Sequence, residues 1–173
     1  MVHLSCPFFA LFARFPSRVF AQVGITTLDE RLQQAFEPGA ASPSQRLGNI
    51  EKLAQIGIEA AARLDPLIPG ITDTEAGLAR LLAELERRKV RRAAASYLFV
   101  RPAFAARLAE QVRHLREHGT SIAQWSWCSM AAGIGGGQMM DMQERRESFS
   151  RLASLAAGFH IDVHVCRCKN PDV

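Results

Sequence analysis

From Val19 onward the chain repeats one pattern. A short apolar run ends in polar, Gly or Pro residues, and apolar positions three and four apart follow it. Val19–Ile25 is almost wholly apolar, as a parallel strand covered on both faces would be. Thr26 and Thr27 then open a short helix over Leu28–Phe36, which Pro38-Gly39 stops. Ser42-Pro43-Ser44-Gln45 predicts a helix start with a capping box and Pro in the first turn. Leu47, Ile50 and Leu53 form the buried stripe of that helix, and Gly57 ends it. The second strand is expected over Ile58–Leu64, with Pro66 and Pro69 barring regular structure just beyond it. Thr72 to Glu75 reads as a second capping box, ahead of a helix with Leu78, Leu81, Leu82 and Leu85 on its apolar face. A third strand is expected over Ala93–Val100 and a helix over Ala103–His118, stopped by Gly119. Trp125–Ile134 has the composition of a further strand, Gly133–Gly137 of a flexible loop, and Gln143–Ala157 of a helix stopped by Gly158. A last strand covers Ile161–Val165.

Strands alternating with helices of about a dozen residues predict a parallel α/β sheet. A closed barrel of this class uses eight strand–helix units, and the chain offers about four. The fold class expected is therefore α/β, a partial parallel (β/α) barrel over residues 19–173. Half a barrel has unpaired strand edges that another segment or chain must cover.

Composition changes this picture little. At 173 residues, with 48% hydrophobic and 22% charged positions, the chain suits one soluble domain. The formal charge of +4 is too small to imply nucleic acid by itself. Four cysteines without a regular framework suit a reducing cytoplasm rather than a stapled secreted domain. Residues 4–15 are apolar, but no basic segment precedes them and Arg14 cuts the run short. A signal peptide or a membrane span is thus disfavoured. Residues 1–18 read as a leading helix of the same barrel, truncated or given a new start, with a targeting segment as the alternative.

Candidate chemistry lies where the strands end, because parallel barrels bind ligands at the C-terminal ends of their strands. Thr26, Thr27 and Asp29 follow the first strand, and Arg63, Asp65 and the turn Leu67-Ile68-Pro69-Gly70 follow the second. Ser96, Tyr97 and Arg101 belong to the third. Hydroxyls, a carboxylate and a guanidinium suit a zwitterionic amino acid and a ribose. The Ile68-Pro69-Gly70 turn offers a flat apolar edge with close backbone approach, suited to adenine. The plainer alternative makes Thr26 and Thr27 helix caps, Arg63 and Asp65 an ion pair, and Pro69-Gly70 only a turn.

The blocks Val19–Asp29, Glu37-Pro38-Gly39, Arg63–Asp73 and Ser96–Arg101, with the tail Cys166-Arg-Cys-Lys-Asn-Pro-Asp172, resemble the second half of a radical S-adenosylmethionine barrel. The likeness is to the spore-photoproduct-lyase-like branch, often labelled DNA repair photolyase, and covers roughly residues 14–173. The resemblance implies that Thr26, Arg63, Ile68, Gly70 and Tyr97 contact the carboxylate, ribose and adenine of S-adenosylmethionine. It also implies a parent chemistry of reductive cofactor cleavage to a 5'-deoxyadenosyl radical, with hydrogen abstraction from a nucleic-acid lesion. Such enzymes hold a 4Fe–4S cluster through CxxxCxxC. Here cysteines stand at 6, 128, 166 and 168, and no three have that spacing. The expectation is a cofactor-contacting half that is inactive alone and is partnered by a cluster-bearing N-terminal half. The alternatives are a non-catalytic remnant or binding protein, or a small metal-binding protein.

The metal reading rests on the last strand, where His160, Asp162, His164, Cys166 and Cys168 alternate with Ile161, Val163, Val165 and Arg167. Period two places the alternate residues on one face, about 6.6 Å apart, so two can share a metal and five cannot. Cys166 and Cys168 are the candidate ligands, with His164 or Cys128 adding to them; the alternative is a cleft-lining strand with reduced thiols. The basic run Arg87–Arg92 fits either contact with DNA phosphates or a solvated helix C-terminus. Gly133–Gln138 matches neither a P-loop nor a dinucleotide fingerprint.

Overall fold

A computed structural model describes residues 6–117, 127–130, 136–167, 170, 172 and 173, with backbone alone at 6, 7, 116, 117 and 127–130. Its elements are α1 (Cys6–Ala13), β1 (Ala21–Gly24), α2 (Glu30–Phe36), α3 (Pro43–Gln55), β2 (Ala60–Leu67), α4 (Glu75–Arg87) and β3 (Arg92–Tyr97). Then follow β4 (Phe99–Val100), α5 (Pro102–Glu117), β5 (Trp127–Met130), β6 (Gly137–Met140), α6 (Met142–Ala157) and β7 (Asp162–Val165).

The four strands β1-β2-β3-β7 form one parallel sheet in that order, so β1 and β7 are its edges. This is the expected partial (β/α) barrel. Leu47, Ile50 and Leu53 of α3, the four leucines of α4, and Phe149, Leu152 and Ala156 of α6 join Ala60, Ala62, Leu64, Ala93 and Ala95 in one core. Alternation along the strands puts Gln22, Arg63, Asp65, Ser96 and His164 on the other face, that of a barrel interior. One register row crosses it as Gly24, Arg63, Ala94 and His164.

Local signals set most boundaries. The Ser42 hydroxyl accepts from the Gln45 amide at 3.2 Å, and the Gln45 side chain accepts from the Ser42 amide at 3.0 Å. Gly57 has φ of +77°, the left-handed conformation that ends a helix. The structure corrects other expectations. Asp29, not Thr26 or Thr27, caps α2, accepting from Arg31 and Leu32, while Thr27 accepts from Asp29. Thr74 caps α4, accepting from Gly77 at 3.3 Å, and Thr72 instead accepts from the Ile68 amide at 2.7 Å. β2 runs past Pro66 because the register shifts between Leu64 and Leu67, where a missing N–H costs no ladder bond.

The stretch expected as a single third strand divides at Leu98. β4 leaves the parallel sheet and pairs with β6, which pairs with β5, all antiparallel. The segment around Trp127 is therefore not a barrel strand. Gly137 belongs to β6 rather than to a loop. A Cβ there would lie 2.5 Å from the Phe99 ring and 2.7 Å from the Val100 carbonyl oxygen. The close β4–β6 approach thus requires glycine. The expected end of α5 at His118 and Gly119 lies outside the described residues.

Candidate functional site

The carboxyl edge of the parallel sheet carries the candidate site. Arg63 donates through Nε and Nη2 to Oδ2 of Asp65 at 3.0 and 2.7 Å. The Asp65 side chain is 5% accessible and that of Arg63 is 39%. A buried carboxylate thus carries its own counter-charge, and the guanidinium also reaches Gln22 Oε1 through Nη1 at 3.5 Å on the barrel face. Small neighbours in the register row, Gly24 and Ala94, leave room around Arg63. Thr26 is buried just beyond β1.

Pro66, next in the chain to Asp65, borders a largely apolar groove of about 530 Å³ whose lining also includes Arg107 and Gln111. Pro66 and Ile68 form one wall, Leu98 and Phe99 another, and Phe104 of α5 and Phe36 of α2 the rim. Sequence reading named Ile68 but missed Leu98, Phe99 and Phe104, which reach the groove only because β4 departs at Leu98. Gly70 adopts φ of +67°, which glycine tolerates without strain. Its N–H donates to Asp73 Oδ1 at 2.5 Å, fixing the turn.

Arg63, Thr26, Ile68 and Gly70 all lie at this edge. Tyr97 is turned the other way. It shares a face with Ala93 and Ala95, is 2% exposed within the core, and meets Phe149 edge-on at 5.0 Å. Its hydroxyl donates to Asp73 Oδ2 at 3.0 Å, on the helix side of the sheet. Burial and the neighbouring Asp73 charge push the phenol pKa up, so it remains a donor. Burial also raises the Asp73 carboxyl, against the opposing pull of the Gly70 N–H, the Tyr97 hydroxyl and the Arg151 charge. Tyr97 therefore touches the edge only through Asp73, which holds Gly70 with one oxygen and Tyr97 with the other.

The last strand ends in a network that the sequence reading did not find. Arg145 of α6 is fully buried. It donates to the Met140 carbonyl at 2.8 Å, to Asn170 Oδ1 at 3.2 Å, and to both Asp172 oxygens at 3.0 and 2.6 Å. Asn170 Nδ2 donates to Ser96 Oγ at 3.3 Å and to the Cys166 carbonyl at 3.0 Å. The tail is thereby clamped across the carboxyl ends of β3 and β7. A signal existed: Arg145 precedes Phe149, Leu152 and Ala156 by four, seven and eleven positions, which puts a charge on the apolar stripe.

Of the proposed metal ligands, Cys166 follows β7, half-buried, and its amide donates to the Ala95 carbonyl at 2.9 Å. Cys168 lies outside the described residues. His164 and Asp162 meet at 3.0 Å on the exposed end of β7, and His160 turns away to Glu86 at 2.7 Å. Among the described residues no three His, Cys, Asp or Glu side chains gather as metal ligands. The basic run is largely engaged in ion pairs: Arg87 and Arg88 with Glu84, Arg88 also with Glu51, and Arg92 with Glu59. It borders the amino end of β3, opposite the candidate edge.

This sheet, with helices on one face and polar residues on the other, is a partial parallel (β/α) barrel. Solved structures of spore photoproduct lyase are similar to it in fold. A variant holding AdoMet and dinucleoside spore photoproduct superposes with a TM-score of 0.59 at 19% identity, over 83% of this chain and 43% of that one. A complex with dinucleoside spore photoproduct gives 0.57 at 20% identity, over 84% and 44%. At these identities the likeness is one of fold, and the chain spans less than half the length of those structures. No family model and no curated protein matches the sequence. Among the described residues no helix is long and apolar enough to cross a membrane.

Proposed function

We propose that the chain is the S-adenosylmethionine-binding portion of a radical-enzyme scaffold, with adenine in the Ile68 groove and the methionyl end toward Arg63 and Thr26. The observation that carries this reading is the coincidence of an apolar groove with a guanidinium at the carboxyl edge of a barrel of this fold. The residues suit a nucleoside joined to a zwitterion: flat apolar walls for the base, and Arg63 for a carboxylate. Gly70 and Asp73 set the turn, and Tyr97 acts behind it as a positioning residue.

The residues do not fit an iron–sulfur cluster, since the four cysteines lack CxxxCxxC spacing. No step of radical chemistry is therefore assigned to this chain. A cluster-bearing half, on another chain or segment, is the proposed partner. Support comes from α1 and the segment before β1. Phe9 and Phe12 pack inward, while Phe8, Leu11, Phe15 and Phe20 are each 45–53% exposed beside the edge strand. A nucleic-acid lesion remains the proposed substrate class of the whole assembly, through the fold likeness alone.

Isothermal titration of S-adenosylmethionine into the purified chain tests the reading. Saturable binding is expected, weakened about tenfold or more by Arg63→Lys, which loses the fork geometry, and by Phe99→Ala, which opens the groove. A folded chain that shows no saturable heat with millimolar cofactor would instead favour a scaffold without cofactor.

A further inference from the structure

A second pocket, of about 410 Å³, lies between α4 and α6 on the helix side of the sheet. The Arg63 site is on the opposite face. Its floor is apolar, formed by Leu78, Leu152 and Leu155 with the Tyr97 ring. One wall carries the carboxylates of Asp73 and Glu75. The other carries Arg151 among the hydroxyls of Ser148, Ser150 and Ser154. Arg151 donates to Ser148 Oγ at 2.7 Å through Nη2, which orients the guanidinium along α6.

We propose that this pocket binds a small zwitterion with an apolar body, such as a free amino acid with a large hydrophobic side chain. The volume falls within the range of small-molecule sites. A purely anionic ligand would face Asp73 and Glu75, and a purely cationic one would face Arg151. A ligand with both charges pairs an ammonium with the carboxylate wall and a carboxylate with the guanidinium and hydroxyls. The leucines then cover its side chain. Asp73 is suited to the ammonium because burial disfavours its charge until a cation approaches. The same carboxylate holds Gly70, so an occupant is felt at the turn of the other site.

The test is amide-shift titration of the isotope-labelled full chain with L-phenylalanine, phenethylamine, which lacks the carboxylate, and 3-phenylpropanoate, which lacks the ammonium. L-phenylalanine is expected to give saturable shifts at Gly70, Asp73, Leu78 and Ser148–Leu155. Each single-ended probe should bind about tenfold or more weakly, the effect of losing one charge-assisted contact. Arg151→Ala, at an exposed position, should bring phenylalanine down to the affinity of phenethylamine and leave phenethylamine unchanged. Ser154→Trp, also exposed, should close the mouth to all three probes; melting curves of both variants confirm folding. Equal affinities for the three probes, shifts that do not saturate, or shifts centred elsewhere would overturn the proposal. S-adenosylmethionine binding is tested separately at the other face, by the Arg63→Lys and Phe99→Ala titrations.

Discussion

Replacing Arg145 by Met should release the C-terminal tail and destabilise the fold by about 3 kcal/mol. Methionine fills similar space but supplies none of the four hydrogen bonds to Met140, Asn170 and Asp172. Removing one partner of a buried ion pair costs about 3–5 kcal/mol when the other is left without solvent. Asp172 retains 31% accessibility and partly rehydrates, which pulls the figure to the low end of that range. For a chain of this length about 3 kcal/mol corresponds to a melting temperature lower by about 6–12 °C. Urea unfolding followed by circular dichroism measures the change, and an unaltered m-value assigns it to the native state. The pH profile provides a second reading. Hydrogen bonds from Arg145 hold the Asp172 carboxyl below its ordinary 3.8. Its contribution is therefore complete above that value and lost as pH falls through the depressed native pKa. Arg145→Met should flatten this acid limb, and a cycle with Asp172→Asn should give a coupling of about 1 kcal/mol or more. A loss under about 1 kcal/mol with an unchanged acid limb would refute the clamp, since a solvated pair contributes no more than that.

Asp73 should act in the opposite direction on the pH profile. Its native pKa is raised above 3.8, so the native state binds the proton more tightly and stability falls as pH rises through the raised value. Asp73→Asn should remove that part of the slope in urea titrations at successive pH values; an unchanged slope would contradict the burial argument. Gly137→Ala should cost about 1–3 kcal/mol, the range for overpacking, because Phe99 and the Val100 backbone cannot both move aside. An unchanged melting temperature would mean that the β4–β6 pair yields freely. The chain alone, reconstituted anaerobically with iron and sulfide and then reduced, should make no 5'-deoxyadenosine from S-adenosylmethionine by mass spectrometry. Its production would overturn the half-barrel reading.

Local chemistry made much of the fold legible. The Ser42–Gln45 box, Gly57 and the leucine stripes of α3 and α4 act within a turn or two, so their meaning does not depend on distant residues. The turn at Ile68–Gly70 and the Arg63–Asp65 pair were visible for the same reason: two residues apart on a strand is one face. Tyr97 shows where such reading stops. Alternation within β3 groups it with Ala93 and Ala95 and apart from Ser96, but only pairing with β2 shows which group faces the helices. The shift between Leu64 and Leu67 then seats Leu67 opposite Tyr97 in the core.

The sequence by itself determined the class of fold, the Ser42–Gln45 cap, the polar edge and the absence of a cluster motif, because each is carried by residue type at short spacing. Only the tertiary structure decided that β4 leaves the sheet to build an antiparallel layer and that Phe99 and Phe104 close the groove. It alone revealed that Arg145 clamps a tail more than twenty residues away, and that Asp73 holds the Gly70 turn with one oxygen and Tyr97 with the other. Those arrangements depend on register and burial between segments far apart in the chain, and neither is encoded in the spacing of neighbours.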